Sequence, residues 1–275
     1  MAMDVVIYDA PAAALEIARE FLAFDRVLNN LILTILADRI SGPQAGRYWV
    51  VFRGGQAAGL GLQSPLDRPI ILAAMSLSAA TALATSIAAD GCDLPGALGE
   101  AQLAARFAGQ WMERRKTAAL PVAGQRVYQV HTVRRARAAP GSLERAGAAH
   151  RELICNWLAA FLAEIGEPTH ASADAVERRI AAGQFWLWNH GGARSMAAVT
   201  APQFRVSRVQ YVYTPPHDRR NGYAEALMRS LTARLLGEGL LPMLFADLGN
   251  PTSNALYLRT GYRAVAEVVR YSFRR

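Results

Sequence analysis

Val209-Gln210-Tyr211-Val212-Tyr213-Thr214-Pro215-Pro216-His217-Asp218-Arg219-Arg220-Asn221-Gly222-Tyr223-Ala224 runs from a β-rich stretch, through a loop of turn formers and arginines, into a segment of helical periodicity. Gly222 and Ala224 lack bulk where that helix begins. Backbone N–H groups there can approach an anion, and the helix dipole adds partial positive charge. Arg219 and Arg220 supply formal charge. The combination reads as a pyrophosphate cradle, and the absence of a Lys-Ser/Thr pair disfavours a P-loop NTPase. Taken alone, the same segment is equally an ordinary strand-to-helix turn with a small residue for close packing.

A second stretch lies downstream, from Leu248 to Tyr262. Within it Asn250, Ser253, Asn254 and Tyr257 stand at i, i+3, i+4 and i+7, which puts four polar groups on one helical face. A solvated face ordinarily carries Arg, Glu or Lys. This one offers amides, a hydroxyl and a phenol, suited to a ligand with amide bonds and a leaving group that needs a proton. Helix capping by Asn250, Thr252 or Ser253 explains one of the four at most.

Working outward, the pattern predicts a strand over 5–8, helical periodicity over 12–36 broken near Phe24-Asp25, and a hairpin of 47–52 and 57–62 about Gly54-Gly55. It continues with a strand over 70–75, a helix over 79–89, a Leu94-Pro95-Gly96 loop, a helix over 100–115 and a strand over 126–133. Residues 134–140, rich in Arg and Ala and ending at Pro140-Gly141, read as a linker or a crossing between units. The second half then predicts strands over 143–146, 185–189, 195–200, 208–214, 243–248 and 264–273. Helices are expected over 151–165, 172–182, 222–236 and 252–259. The same succession occurs twice at a spacing of about half the chain, as a tandem duplication would give. The expected class is α/β with a mixed sheet, in two tandem domains, 1–137 and 138–275.

Composition supports globular domains and narrows the partners. Of 275 residues, 52% are hydrophobic and 19% charged, which excludes disorder as the dominant state. The net charge of +8 invites a phosphate-rich partner, although Lys116 is the single lysine among 30 cations, an Arg and Ala bias that genome composition also produces. From Ala201 to Arg275 there are eleven arginines against five acids. No stripe of interleaved aromatic and basic residues accompanies them, so nucleic acid is not expected. Cys92 and Cys155 stand far apart with no CxxC pair or His cluster, which predicts neither a disulfide scaffold nor a metal site. Asp4 and Asp9 stand where a signal peptide carries positive charge, so a cytoplasmic protein is expected. The uncharged run 69–89 is broken by serines and threonines, and reads as a buried strand and helix, not a membrane span.

Arg219-x-x-Gly222-x-Ala224 after a strand, followed by Asn250 to Tyr257 and Gly261-Tyr262, resembles the GCN5-related N-acetyltransferase superfamily, whose signature is Gln/Arg-x-x-Gly-x-Gly/Ala. Tyr213-Thr214-Pro215-Pro216 and Asn250-Pro-Thr-Ser-Asn look most like its glycine N-acyltransferase-like (FR47-like) branch. The resemblance covers about residues 142–275. It implies acetyl-CoA in a wedge between two splayed strands, with the backbone of Val212, Tyr213 and Thr214 along the pantetheine arm. Amides from Arg219, Arg220, Asn221, Gly222, Tyr223 and Ala224 would hold the pyrophosphate. Asn250, with Ser253 and Asn254 on the same face, would meet the pantetheine, and Tyr257 would protonate the departing thiolate. The implied activity is transfer of an acetyl group to a primary amine of a small molecule or peptide by direct attack. A non-catalytic CoA-binding regulator is the alternative.

The acceptor side is less determined. Asp247, Glu164 and His217 are candidate bases, Asp247 foremost, and each also has a structural reading as a strand-end, helix-face or loop residue. Trp186, Trp188 and Tyr211 either line an acceptor pocket or pack in the core. The first half departs from the family pattern. After its third strand it reads Ser76-Leu-Ser-Ala-Ala-Thr-Ala-Leu-Ala without the Arg-x-x-Gly-x-Gly/Ala signature, and Ala101–Trp111 replaces the polar-faced helix. It resembles a degenerate acetyltransferase domain without a cofactor site, a distinct recognition module being the alternative.

Overall fold

Fourteen residues from Pro11, with Ala14, Ala18 and Leu22 buried at helical spacing, form the first helix of the fold. A computed structural model describes residues 3–42, 45–134, 139–167 and 172–274; the domain boundary expected at 137/138 falls at 135–138, outside the described residues. The chain divides into two compact units that interleave in sequence. One comprises Met1–Val127, Phe245–Pro251 and Ala264–Arg275, the other Tyr128–Leu244 and Thr252–Arg263.

The first unit contains β1 (Met3–Tyr8), α1 (Pro11–Phe24), α2 (Asn30–Ile40), β2 (Arg47–Arg53), β3 (Gln56–Gln63), β4 (Ile70–Leu72), α3 (Leu77–Ala89), β5 (Gly96–Glu100), α4 (Ala101–Arg115), most of β6 (Ala118–Gln129) and most of the last strand, β12 (Arg263–Arg274). Its strands lie in the order β1-β2-β3-β4-β5-β12-β6. The β2–β3 hairpin turns through Gly54 and Gly55, both left-handed at φ 57° and 80°, as a two-residue turn that matches strand twist requires. Only β4 and β5 run parallel among the registered pairs of this unit. Leu83 and Ile87 of α3 and Phe107 and Trp111 of α4 close a core over Trp49, Ile70 and Leu72.

β5 corrects the sequence reading, which placed a loop at 94–96 and ran a helix from Glu100. The Gly-Ala-Leu-Gly-Glu strand pairs with β4 on one side, and on the other Val268–Ser272 of β12 pair antiparallel with Glu100–Gly96. Glycine is required at 96, where a Cβ would collide with the carbonyl oxygen of Tyr271. β6 also begins at Ala118, eight residues before the expected start.

The second unit repeats the succession with β7 (Ser142–Arg145), α5 (Arg151–Glu164), α6 (Ala173–Ala181), β8 (Phe185–Asn189), β9 (Ala193–Val199), β10 (Val206–Tyr213), α7 (Tyr223–Gly237), the first residues of β11 (Leu241–Asp247) and most of α8 (Pro251–Thr260). Strand order is β11-β10-β9-β8-β7. Ser172 caps α6 by accepting the Ala175 N–H at 3.2 Å, and Asn189 accepts the Gly192 N–H at 3.0 Å to close the β8–β9 turn. Trp186 and Trp188 belong to the packed interior, at 6% and 3% exposure. The guanidinium groups of Arg145 and Arg234 lie 5.1 and 4.8 Å from the Trp186 ring. Among the described residues no helix is long and apolar enough to cross a membrane.

Candidate active site

Strand β10 is built to part from its neighbours. Its parallel ladder with β11 registers only Val206–Arg208 against Leu241–Met243, although β10 continues to Tyr213. Against β9 the register shifts between Gln210 and Tyr213, so Tyr211 and Val212 together face one residue, Ala197. Tyr211 takes φ 55°, a left-handed bulge conformation that twists the strand and disrupts its ladder. The strand end beyond the bulge is pinned from within. The Ser195 hydroxyl donates to the Tyr213 carbonyl at 2.9 Å, and the Thr214 hydroxyl donates to Ser195 Oγ at 2.9 Å. Of the three residues expected along a pantetheine arm, Val212 therefore sits in the bulge, while Tyr213 and Thr214 fix its exit. Burial, with Glu164 nearby, raises the Tyr213 phenol above its ordinary pKa.

The loop after β10 delivers the chain to the N-terminus of α7. Gly222 is the N-cap at φ 80° and supplies no side-chain cap. Its carbonyl accepts the first helical bond, from Ala226 at 3.0 Å, so the N–H groups of Tyr223, Ala224 and Glu225 precede the helical ladder. Arg220 is also left-handed, at φ 65°. Asn221 Nδ2 donates to the Asp218 and Arg219 carbonyls at 3.1 and 3.3 Å, shaping the loop from inside. Tyr223 Oη lies 3.0 Å from His190 Nδ1.

Arg219 does something other than offer its charge to a ligand. Its Nε donates to the Thr214 carbonyl at 2.9 Å, and its Nη2 reaches both oxygens of Glu164 at 2.6 and 2.8 Å. It thereby staples the loop to α5. Glu164, one of the candidate bases, has both oxygens engaged in that contact. Arg220 is the exposed cation of the cradle, and among the described residues its guanidinium makes no protein hydrogen bond or ion pair. His217 is exposed and lies 3.3 Å from the buried carboxylate of Asp218, which Arg194 also approaches at 3.3 Å.

Helix α8 brings Ser253, Asn254 and Tyr257 to its inner side, with Tyr257 the most buried at 7% exposure. Two tyrosines frame it: the Tyr128 ring at 6.1 Å and the Tyr262 ring at 6.0 Å. Burial, followed by Tyr128, pushes the Tyr257 phenol far above its ordinary pKa, so it keeps its proton across the physiological range. Tyr128 Oη donates to Asn254 Oδ1 at 2.8 Å, and Tyr262 Oη meets Thr232 Oγ1 of α7 at 3.0 Å. Asp247 is exposed at the end of β11, and its Oδ1 accepts the Gly249 N–H at 2.7 Å. Asn250, also exposed, donates its N–H to the Asp247 carbonyl at 3.1 Å.

The sequence reading missed the groups that hold α7 to α8. Glu225 accepts from Arg229 at 2.7 Å and from Arg259 of α8 at 3.0 Å, and Arg229 also donates to the Arg259 carbonyl at 2.9 Å. The Glu225–Arg229 pair was legible as an i,i+4 contact, but Arg259 and Tyr128 needed the fold. Burial alone would raise the Glu225 carboxyl, and the Arg229 and Arg259 hydrogen bonds outweigh it, so its pKa is lowered. A lowered carboxyl contributes stability above its unfolded pKa and loses it as pH falls through the folded one. Glu225→Gln is therefore expected to cost about 1 kcal/mol or less of stability at pH 7, read as a lower melting temperature, and to show a smaller deficit at an acid pH where the folded carboxyl takes up its proton. An equal deficit at both pH values would show that the pair contributes through packing instead.

The equivalent turn of the first unit is closed. Ser76 caps α3, its hydroxyl accepting the Ala79 N–H at 3.2 Å. The N–H of Ala74, just past β4, donates to Oδ1 of the fully buried Asn29 at 2.8 Å, whose Nδ2 donates to the Leu22 carbonyl at 3.1 Å. Helix cap and strand edge are both satisfied by the protein's own side chains.

Comparison with known proteins places this geometry. Residues 190–271 match the family described as FR47-like protein, a stretch that spans β9, β10, α7, β11, α8 and most of β12. An acetyltransferase of the GNAT family from Colwellia psychrerythraea superposes with a TM-score of 0.67 over 100% of both chains at 12% identity. The chain has the GNAT fold. A GCN5-related N-acetyltransferase from Sphaerobacter thermophilus superposes at TM-score 0.65 and 14% identity, over 98% of this chain and 96% of that one. A tandem GNAT protein from the clavulanic acid biosynthesis pathway does so at TM-score 0.58 and 12% identity, over 98% of each. No curated protein sequence matches the chain. At such identities the GNAT likeness concerns the backbone, and the chemistry must be argued from the side chains above.

Proposed function

We propose that this chain is an acyl-CoA-dependent N-acyltransferase that moves an acetyl group from acetyl-CoA to a primary amine of a small molecule or peptide. The observation that carries the reading is the N-terminus of α7, where a left-handed glycine replaces the usual side-chain cap and leaves first-turn N–H groups available to an anion. The residues fit the co-substrate's diphosphate: amides of Tyr223 and Ala224, the exposed Arg220, and a loop held in shape by Asn221 and by the Arg219–Glu164 staple. The bulged backbone at Tyr211–Val212 and the inner side of α8, with Ser253 and Asn254, are assigned to the pantetheine arm, and Asn250 joins them by family resemblance. Acetyl-CoA supplies the thioester, so no covalent protein intermediate is required.

In this reading the amine nitrogen forms the new C–N bond as the C–S bond breaks. Tyr257 holds the proton that the departing sulfur takes, and its raised pKa keeps that proton in place until needed. Asp247 is assigned the proton lost by the amine. Asp247→Asn retains an Oδ1 acceptor for Gly249, so the fold should be kept while amine-dependent turnover falls about 10²-fold. The catalytic role belongs to the half from 138 to 275. The first half, with its Ser76 cap and Asn29 plug, is a degenerate copy that binds no CoA.

The test is CoA release from acetyl-CoA, followed as free thiol, over a panel of primary amines and amino-terminal peptides. Release that depends on the amine and yields the acetylated product is expected. Saturable acetyl-CoA binding with no release for any amine would favour a CoA-binding regulator.

A further inference from the structure

A second, separate cleft lies in the first unit, where β4 and β5 begin and α4 and β12 end. It encloses about 730 Å³, within the range of small-molecule sites. It is at the amino ends of the parallel β4–β5 pair, whereas ligands of open α/β sheets bind outside the carboxyl ends. It therefore cannot be a remnant of the closed turn at Ser76.

The cleft has an apolar floor and a cationic rim. Leu94, Pro95 and Phe273 line the floor, with Phe273 stacked on Trp111 at 5.4 Å. Arg114, Arg115, Lys116 and Arg274 line the rim against two carboxylates, Asp67 and Asp93. Arg115 pairs with Asp93 at 2.5 Å and lies 5.6 Å from the Trp111 ring, so that pair is internally neutral. Arg114, Lys116 and Arg274 are exposed, and among the described residues their side chains make no protein hydrogen bond or ion pair. Oγ1 of Thr117, beside them, is enclosed without a partner.

Cations in the last turn of a helix complement its dipole, which accounts for Arg114 and Arg115 on α4. It does not account for Arg274, which comes from a different element, or for the residue at 116. That position is the left-handed C-cap of α4, at φ 54°, where glycine or asparagine is ordinary. The single lysine of a chain that otherwise uses arginine throughout occupies it, and this lysine is among the residues that line the cleft. A non-glycine residue held left-handed at a lined cleft points to a functional use of that side chain.

We propose that this cleft binds a small organic anion with an apolar body, its carboxylate or phosphate held by Arg114, Lys116 and Arg274 and its body laid on Phe273, Leu94 and Pro95. The lone lysine makes the test specific. Reductive ¹³C-methylation of the full chain keeps the charge and labels only Lys116 and the terminal amine. With phenylacetate as probe, the Lys116 methyl resonance should move saturably at millimolar concentration while the terminal signal stays, and Arg274→Glu should weaken the binding about tenfold or more. Benzyl alcohol, which keeps the body and lacks the charge, should produce no movement. An unmoved Lys116 signal, or equal movement with acetate alone, would overturn the proposal. Acetyl-CoA binding at the N-terminus of α7 is read separately, as a shift in melting temperature with acetyl-CoA, so either site can fail without the other.

Discussion

With acetyl-CoA at about 100 times its Kd, the wild-type chain should gain about 2.7 kcal/mol against unfolding, and the Gly222→Val variant should gain nothing. The expectation rests on one backbone angle. Gly222 caps α7 at φ 80°, a conformation that a β-branched residue adopts only at a cost of about 1–2 kcal/mol or more. The nearest neighbour of an added Cβ is Ala139 Cβ at 3.5 Å, so an alanine-sized addition meets no clash there. Valine must therefore strain or shift the turn, and its methyls stand where an anion would approach the first-turn amides. Gly222→Asn separates the two effects, because asparagine tolerates the left-handed region. It should melt close to the wild type and still bind acetyl-CoA more weakly. Full ligand stabilisation in Gly222→Val, measured at the same acetyl-CoA concentration, would remove α7 from the site.

The same angle explains why the need for a glycine at this turn was legible from residues alone. A glycine between a strand and a helix, flanked by arginines, has few readings, and the structure supplies the left-handed cap that makes glycine necessary. What the charges do was not legible. Arg219 reads as a ligand for phosphate, yet its guanidinium is spent on Glu164 and the Thr214 carbonyl, a contact across 55 residues that no local pattern encodes. The first half shows the converse. Missing motif residues suggested an empty site, but the buried Asn29 that satisfies Ala74 sits in an unremarkable turn between α1 and α2.

Strand β5 marks the limit of periodicity as evidence. Its five residues include two glycines and no β-branched side chain, so propensity argues for a loop. It becomes a strand because β4 and β12 flank it, and the glycine at 96 that weakens the local signal is what lets β12 approach. β12 itself was predicted as a strand, since alternation is visible in any register. Its membership of the first unit's sheet, from the far end of the chain, was not, because alternation fixes which face is buried and says nothing of the partner.

Tyr257→Phe should lower kcat by about 10²–10⁴-fold while leaving the acetyl-CoA Kd nearly unchanged, the signature of a lost proton donor. The ring is packed between Tyr128 and Tyr262, and phenylalanine keeps that packing, so only the hydroxyl is removed. A matching loss of CoA affinity would instead make Tyr257 a wall of the binding site. A second readout tests the environment that suits the phenol to its role. Burial raises both Tyr257 and Tyr262 above their ordinary pKa, so in the folded chain both stay protonated where the unfolded chain has begun to release its protons. The stability this represents is complete below about pH 10 and falls as pH rises further, by at most about 1.4 kcal/mol per pH unit for each phenol. Tyr257→Phe deletes the Tyr257 contribution. Denaturant unfolding followed from pH 9 upward should show a shallower alkaline decline in the variant than in the wild type. Parallel declines would mean that the Tyr257 hydroxyl reaches water in the folded state, and a phenol that exchanges freely with solvent is a poor reservoir for the proton that the leaving sulfur needs.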